Sequence, residues 1–171
     1  MTLHFAIGDC VLGKLLVATN EQGVCAVLLG DRTDDLRRDL GSRFSGADMF
    51  EVCEPVQTVW MQIAEEVRQP RSISRHIKLD PKGTPFQQKV WVALRQIPIG
   101  ETVTYKQLAE RIGSPRAVRA VAGACAANPI AVLIPCHRVL RSDGGLSGYR
   151  WGVERKRALL ETERALQHGA S

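Results

Sequence analysis

The chain has 171 residues, 44% of them hydrophobic and 24% charged, with a formal net charge of +5. That composition excludes low-complexity and collagen-like chains and describes a globular protein of one large domain or two small ones. The longest mostly apolar stretch, 120–136, is interrupted by Asn128-Pro129 and rich in Ala, which reads as buried core and not as a membrane span.

The first thirty residues read as strands. "LHFAIGDC", "GKLLVATN" and "GVCAVLLG" are separated by turn chemistry, expected at Gly8-Asp9 and at Asn20 to Gly23. A short helix follows, capped by Asp31 or Thr33, with Leu36 and Leu40 at i, i+4. Pro55 opens a second helix whose core face is Val56, Val59, Trp60, Ile63 and Val67. "SISRHIKLD" alternates weakly and is a candidate strand. "DPKGTP" marks a boundary, giving expected domains of 1–83 and 84–171.

Beyond it, Thr84 caps and Pro85 opens a helix with an apolar stripe of Phe86, Val90, Trp91, Leu94 and Ile97. Thr104-x-x-Gln107 is a capping box for "YKQLAERI", which Gly113 ends. Ser114-Pro115 is expected to cap and start "PRAVRAVAGACAAN", completing a helix-turn-helix pattern. On this helix Val118, Val121, Ala122 and Cys125 share one face. Arg116, Arg119, Ala120, Gly123 and Ala127 share the other. A face of methyl groups and bare backbone suits either tight packing or close approach to a narrow groove.

Five cysteines occur, at 10, 25, 53, 125 and 136, with no CxxC pair. No basic, apolar, small-residue succession opens the chain, so reduced thiols and a cytoplasmic protein are expected. The four histidines show no ligand spacing with the cysteines, and no metal is expected. Charge is unevenly placed. Residues 1–83 carry 10 Lys and Arg against 12 Asp and Glu, net −2; residues 84–171 carry 13 against 6, net +7. The second half is either a polyanion-binding surface or a solvated basic one.

The sequence "PIAVLIPCHRVL" ends an apolar run, read as a strand, with adjacent Cys136 and His137. In extended backbone neighbouring side chains point to opposite faces. For the two groups to act together, either the chain turns at Pro135-Cys136-His137 or a water connects them.

"RAVAGACAANP", "IPCHRV" and "GLSGYRWGVERKRALLETE" together resemble the active-site signature of the methylated-DNA–protein-cysteine methyltransferases, the O6-alkylguanine-DNA alkyltransferases. The likeness is strong over 84–171 and extends more weakly through 1–83. The tail "SGYRWG" is most similar to the C-terminal domain of the Ada group within that family. The resemblance implies an α/β protein: a small N-terminal α/β domain with a ribonuclease-H-like sheet, then a mainly helical, winged-helix-like domain carrying the helix-turn-helix. It implies irreversible, single-turnover transfer of an alkyl group from O6-alkylguanine, and from O4-alkylthymine, in duplex DNA to Cys136. Base flipping, minor-groove contact, a monomer and no cofactor go with it.

The family's roles map onto this sequence residue by residue. Cys136 resembles the alkyl acceptor, His137 the base acting through water, and Glu163 the carboxylate that orients it. Asn128 resembles the hinge between the recognition helix and the acceptor segment. Tyr105 resembles the tyrosine that contacts the flipped base, and Arg119 the finger that fills the vacated stack. Arg116, Ala120 and Gly123 accompany Arg119 on the DNA-facing side. Val139, Tyr149 and Arg150 stand where the family holds the guanine. Three other readings compete with this one: a lesion-binding module without transfer, a helix-turn-helix regulator and a cysteine hydrolase.

Overall fold

The computed structural model describes residues 1–52, 54–71 and 76–169. It forms two compact units: Met1–Pro81 with Pro129–Ala131, and Lys82–Asn128 with Val132–Ser171. The division falls between Pro81 and Lys82, where the sequence suggested 83/84, and it also sets residues 129–131 apart. Residues 129–131 go with the first unit because Val27 N donates to Pro129 O and Ala131 N donates to Val27 O.

In the first unit, β1 (Thr2–Cys10), β2 (Gly13–Asn20) and β3 (Gly23–Gly30) form an antiparallel meander. A short β4 (Asp48–Glu51) adds parallel to β1, giving the order β3-β2-β1-β4. The first turn lies at 11–12, not at Gly8-Asp9. Gly8 serves a different purpose within β1: a Cβ there would sit 2.7 Å from the Trp60 ring. Trp60 belongs to α2 (Glu54–Arg68), and its Nε1 donates to Leu15 O on β2 at 2.8 Å. That helix buries Val56, Ile63 and Val67, while α1 (Thr33–Arg43) buries Leu36 and Leu40. The N-cap of α1 is Arg32, without a side-chain capping bond, so neither expected cap is used. Of the candidate strand 72–80, residues 72–75 lie outside the described residues. Leu79 makes one bridge to Val24.

The second unit packs α3 (Pro85–Leu94), α4 (Tyr105–Arg111) and α5 (Val118–Ala126) together. Both N-terminal expectations hold here. Thr84 with Gln87 and Thr104 with Gln107 form complete capping boxes. Each satisfies two of the helix's otherwise orphaned N–H groups or their neighbours with local chemistry. Gly113, at φ +76°, ends α4 in a conformation that favours glycine. α5 starts later than expected. Ser114-Pro115 does not cap it, because Ala117 N donates to Ser114 O and spends those residues in a turn. The N-cap is Ala117.

The segment 130–134 is not a strand. It is buried but turning, with Val132 at φ +70°. A short 3-10 turn, Cys136–Arg138, leads into β6 (Val139–Leu140), which pairs in parallel with β5 (Val103–Thr104). The last helix, α6, spans Val153–Gly169. Among the described residues the fold is mixed α/β, with six α-helices. Among the described residues no helix is long and apolar enough to cross a membrane.

Candidate active site

Asn128 follows α5 directly and is fully buried. Its Nδ2 donates to Ile134 O at 2.9 Å and to Cys136 Sγ at 3.3 Å. One amide thus closes the loop 128–136 and holds the thiol. The loop includes Val132, a β-branched residue at positive φ, a conformation that costs roughly 1–3 kcal/mol and persists only where its surroundings enforce it.

The 3-10 turn resolves how Cys136 and His137 relate: the chain turns there, and His137 is directed toward α6. His137 Nε2 lies 2.6 Å from Glu163 Oε2, with both residues buried. Arg138 completes the cluster. Its Nε donates to Glu163 Oε1 at 2.8 Å, Nη2 to Oε2 at 3.0 Å, and Nη1 to Ile97 O at 2.7 Å.

These contacts set the charges. Burial acts to raise the Glu163 carboxyl, but the hydrogen bond and charge of His137, then those of Arg138, outweigh it and hold Glu163 at about 2. Burial lowers His137, and Glu163 only partly offsets this. At neutral pH the pair is therefore a carboxylate and a neutral imidazole. Because Nε2 donates to Glu163, Nδ1 carries the free lone pair. Nδ1 is buried and has no hydrogen-bond partner among the described residues. Burial pushes the Cys136 thiol up to about 11, partly countered by the Asn128 bond.

Cys136 lines a cavity of about 430 Å³ with Tyr105, Ala122, Cys125, Ala126 and residues 147–150. Tyr149 and Arg150 therefore join Cys136 and Tyr105 in one cavity. Tyr149 packs edge-on to Trp151, with ring centroids 5.3 Å apart. Val139 is buried, and its carbonyl accepts from Lys156 Nζ at 2.7 Å. Arg116, Arg119, Ala120 and Gly123 do not line the cavity; they lie exposed on or beside α5. A Cβ on Gly123 would meet nothing within 4 Å. Close packing among the described residues therefore does not require glycine at 123.

Two cluster residues, Arg138 and Lys156, escaped the sequence reading. Arg138 stands in the same "PCHR" run, and its position beside Cys-His was the available signal. Lys156 sits in "ERKR", which reads as a solvated basic turn of helix but is fully buried at this one position. Ser147 opens the "SGYRWG" loop and lines the cavity with it. Among the described residues no group of three or more His, Cys, Asp or Glu side chains gathers as a metal would require.

Comparison with known proteins shows what the chain is similar to. The family model described as the 6-O-methylguanine DNA methyltransferase DNA-binding domain matches residues 85–165. A methylated-DNA–protein-cysteine methyltransferase of Methanosarcina barkeri is 58% identical over 163 residues, covering 94% of this chain and 97% of that protein. The chain belongs to the methylated-DNA–protein-cysteine methyltransferase family. It is also 51% identical over 166 residues to the bifunctional transcriptional activator/DNA repair enzyme Ada of Escherichia coli. That match covers 95% of this chain and 46% of Ada, so the chain spans about half the length of that relative. Among solved structures, Mycobacterium tuberculosis OGT in complex with DNA superposes with a TM-score of 0.75 at 32% identity, covering 95% of this chain and 93% of that one.

Proposed function

We propose that this chain repairs duplex DNA by transferring the alkyl group of O6-alkylguanine, and of O4-alkylthymine, to its own Cys136, once per molecule and without a cofactor. The observation that carries the reading is the joint placement of Cys136 in an open cavity and of His137 on a buried, ionised Glu163. The activity in the name of the Methanosarcina relative is the same chemistry.

With Cys136 near 11, about one molecule in ten thousand is thiolate at pH 7. A thiol is a poor nucleophile, so a base must take its proton as the sulfur attacks. Nδ1 of His137 is that base, reached through a bridging water, and Glu163 stabilises the imidazolium. The sulfur–carbon bond forms while the carbon–O6 bond breaks. Its electron pair stays on guanine, which gains one proton as the thiol loses one. Tyr105 donates to the base as negative charge develops on it. Asn128 keeps the sulfur aimed into the cavity.

The alkylated atom lies inside the duplex, so the nucleotide must be flipped out, at a cost of roughly a few kcal/mol. Arg119 fills the gap and Arg116 holds phosphate. Ala120 and Gly123 let the helix backbone approach the minor groove closely, a reading favoured by their exposure. Tyr149, Arg150 and the backbone of Val139 receive the guanine. In fold terms we read the first unit as ribonuclease-H-like and the second as winged-helix-like, with α4 and α5 as the helix-turn-helix. The protein acts as a monomer in the cytoplasm.

The test is Cys136→Ser. Serine is far less ionised, so the variant binds a methylated duplex but takes up no methyl group. Full uptake by that variant would move the reaction to another residue and remove the proposal.

A further inference from the structure

Lys156 is a lysine with no exposed surface, on the buried side of α6. Such a group is held only by specific partners. Two are present: Val139 O at 2.7 Å and Ser147 Oγ at 3.1 Å. Ser147 Oγ in turn lies 2.5 Å from the Tyr105 hydroxyl, and both residues line the cavity that holds Cys136. Three side chains from α6, from the loop before it and from the start of α4 therefore form one line of hydrogen bonds ending at the cavity.

The sense of the line is fixed only for its inner bond; between Ser147 and Tyr105 either oxygen can donate. An ammonium has donors and no acceptor, so Lys156 donates to Ser147. The Ser147 hydroxyl has one hydrogen, and Tyr105 Oη is its other side-chain partner. With that hydrogen given to Tyr105, the phenol's own hydrogen is free for the cavity. We propose that Ser147 is a positioning residue, which ties Tyr105 to the buried Lys156 ammonium and commits the Tyr105 O–H to donate into the cavity. The proposal rests on the alkyl-transfer reading above and assigns a role that the cysteine, histidine and glutamate do not fill. A donor backed by a cation answers the negative charge that the departing base develops, and aligned hydrogen bonds in a dry site strengthen one another. Burial raises the Tyr105 phenol and the Ser147 bond opposes that rise, as expected for a bond donated to the phenol oxygen.

The experiment is a double-substitution cycle on the single-turnover rate of methyl transfer from a methylated duplex. Ser147→Ala is expected to slow transfer about tenfold, less than the roughly hundredfold loss from removing a direct donor. Duplex affinity, measured in Cys136→Ser, stays within about twofold. In Tyr105→Phe, adding Ser147→Ala changes nothing further, since the residue acts only through the tyrosine. Ser147→Thr keeps the hydroxyl and restores the rate. An unchanged rate in Ser147→Ala, equal slowing with and without Tyr105, or a Thr variant as slow as the Ala variant overturns the proposal. Absence of transfer by the wild-type chain would instead overturn the reading beneath it, and the proposal with it. A second readout needs no substrate. The chain has two tyrosines, so in Tyr149→Phe the ultraviolet titration reports Tyr105 alone. Ser147→Ala should move that midpoint upward; an unmoved midpoint contradicts the donated bond.

Discussion

Replacing Asn128 by Ala separates two roles that the sequence alone leaves together. As a helix stop, Asn128 is dispensable, because Pro129 remains and still excludes its predecessor from helical backbone. As the clasp of the acceptor loop it is not. The variant loses the bond to Ile134 O, worth about 1 kcal/mol net, and a weaker one to the Cys136 sulfur. Ile134 O is not orphaned, because it still accepts from Cys136 N at 2.8 Å, so the larger penalty for an unsatisfied carbonyl does not apply. Truncation in a fully buried site adds roughly 1 kcal/mol for the space left. The total is about 2–3 kcal/mol, read as a lower urea midpoint by tryptophan fluorescence. The kinetic effect should be larger in proportion. The loop is free to relax its strain at Val132, and the thiol loses the one side-chain hydrogen bond that opposes its upward shift. A variant within about 0.5 kcal/mol of wild type and equally fast would show that the clasp is incidental.

Other outcomes follow from the charges. Glu163 sits at about 2 in the folded chain against an ordinary 4.5, so its ionised form stabilises the folded chain at neutral pH. That stability is present above pH 4.5 and is lost as pH falls toward 2. His137 is lowered, so the unfolded chain takes up its proton first, and stability already starts to fall below about pH 6.5. Glu163→Gln should flatten the lower part of the melting-temperature profile; an unaltered profile would remove Glu163 from the balance. Arg119→Ala should slow repair of duplex DNA much more than reaction with a free alkylguanine base, and equal slowing would place Arg119 in pocket support. Affinity for unmodified duplex should fall steeply with salt as the +7 half releases counterions. A flat dependence would contradict phosphate binding. Alkylation of Cys136 crowds the sulfur where the Asn128 side chain donates to it at 3.3 Å. The methylated protein should therefore melt lower and bind duplex more weakly; two unchanged values would show that the cavity has room to spare.

What could be read from the sequence was mostly local. β2 and β3 end where glycine and asparagine turns allow, and the two capping boxes depend on residues three apart. β4 escaped because a four-residue edge strand exists only through its pairing with β1, more than forty residues away. The run 130–134 has strand composition, but backbone bonds to Val27 take up its first residues and Val132 turns the rest. The site divides in the same way. Cys136 and His137 are adjacent, whereas Glu163 meets His137 across 26 positions and is indicated by family resemblance, not by spacing. Lys156 was hidden because a charged residue in a charged helix looks solvated unless its burial is known.

The most direct test of the account is the fate of the methyl group. The wild-type chain is incubated with excess duplex carrying O6-methylguanine, and the intact protein mass, the modified peptide and the recovered base are determined. One methyl group per protein is expected, borne by Cys136, with unmodified guanine left in the DNA. No gain in mass, or a methyl group on Cys10, Cys25, Cys53 or Cys125 in place of Cys136, would contradict it.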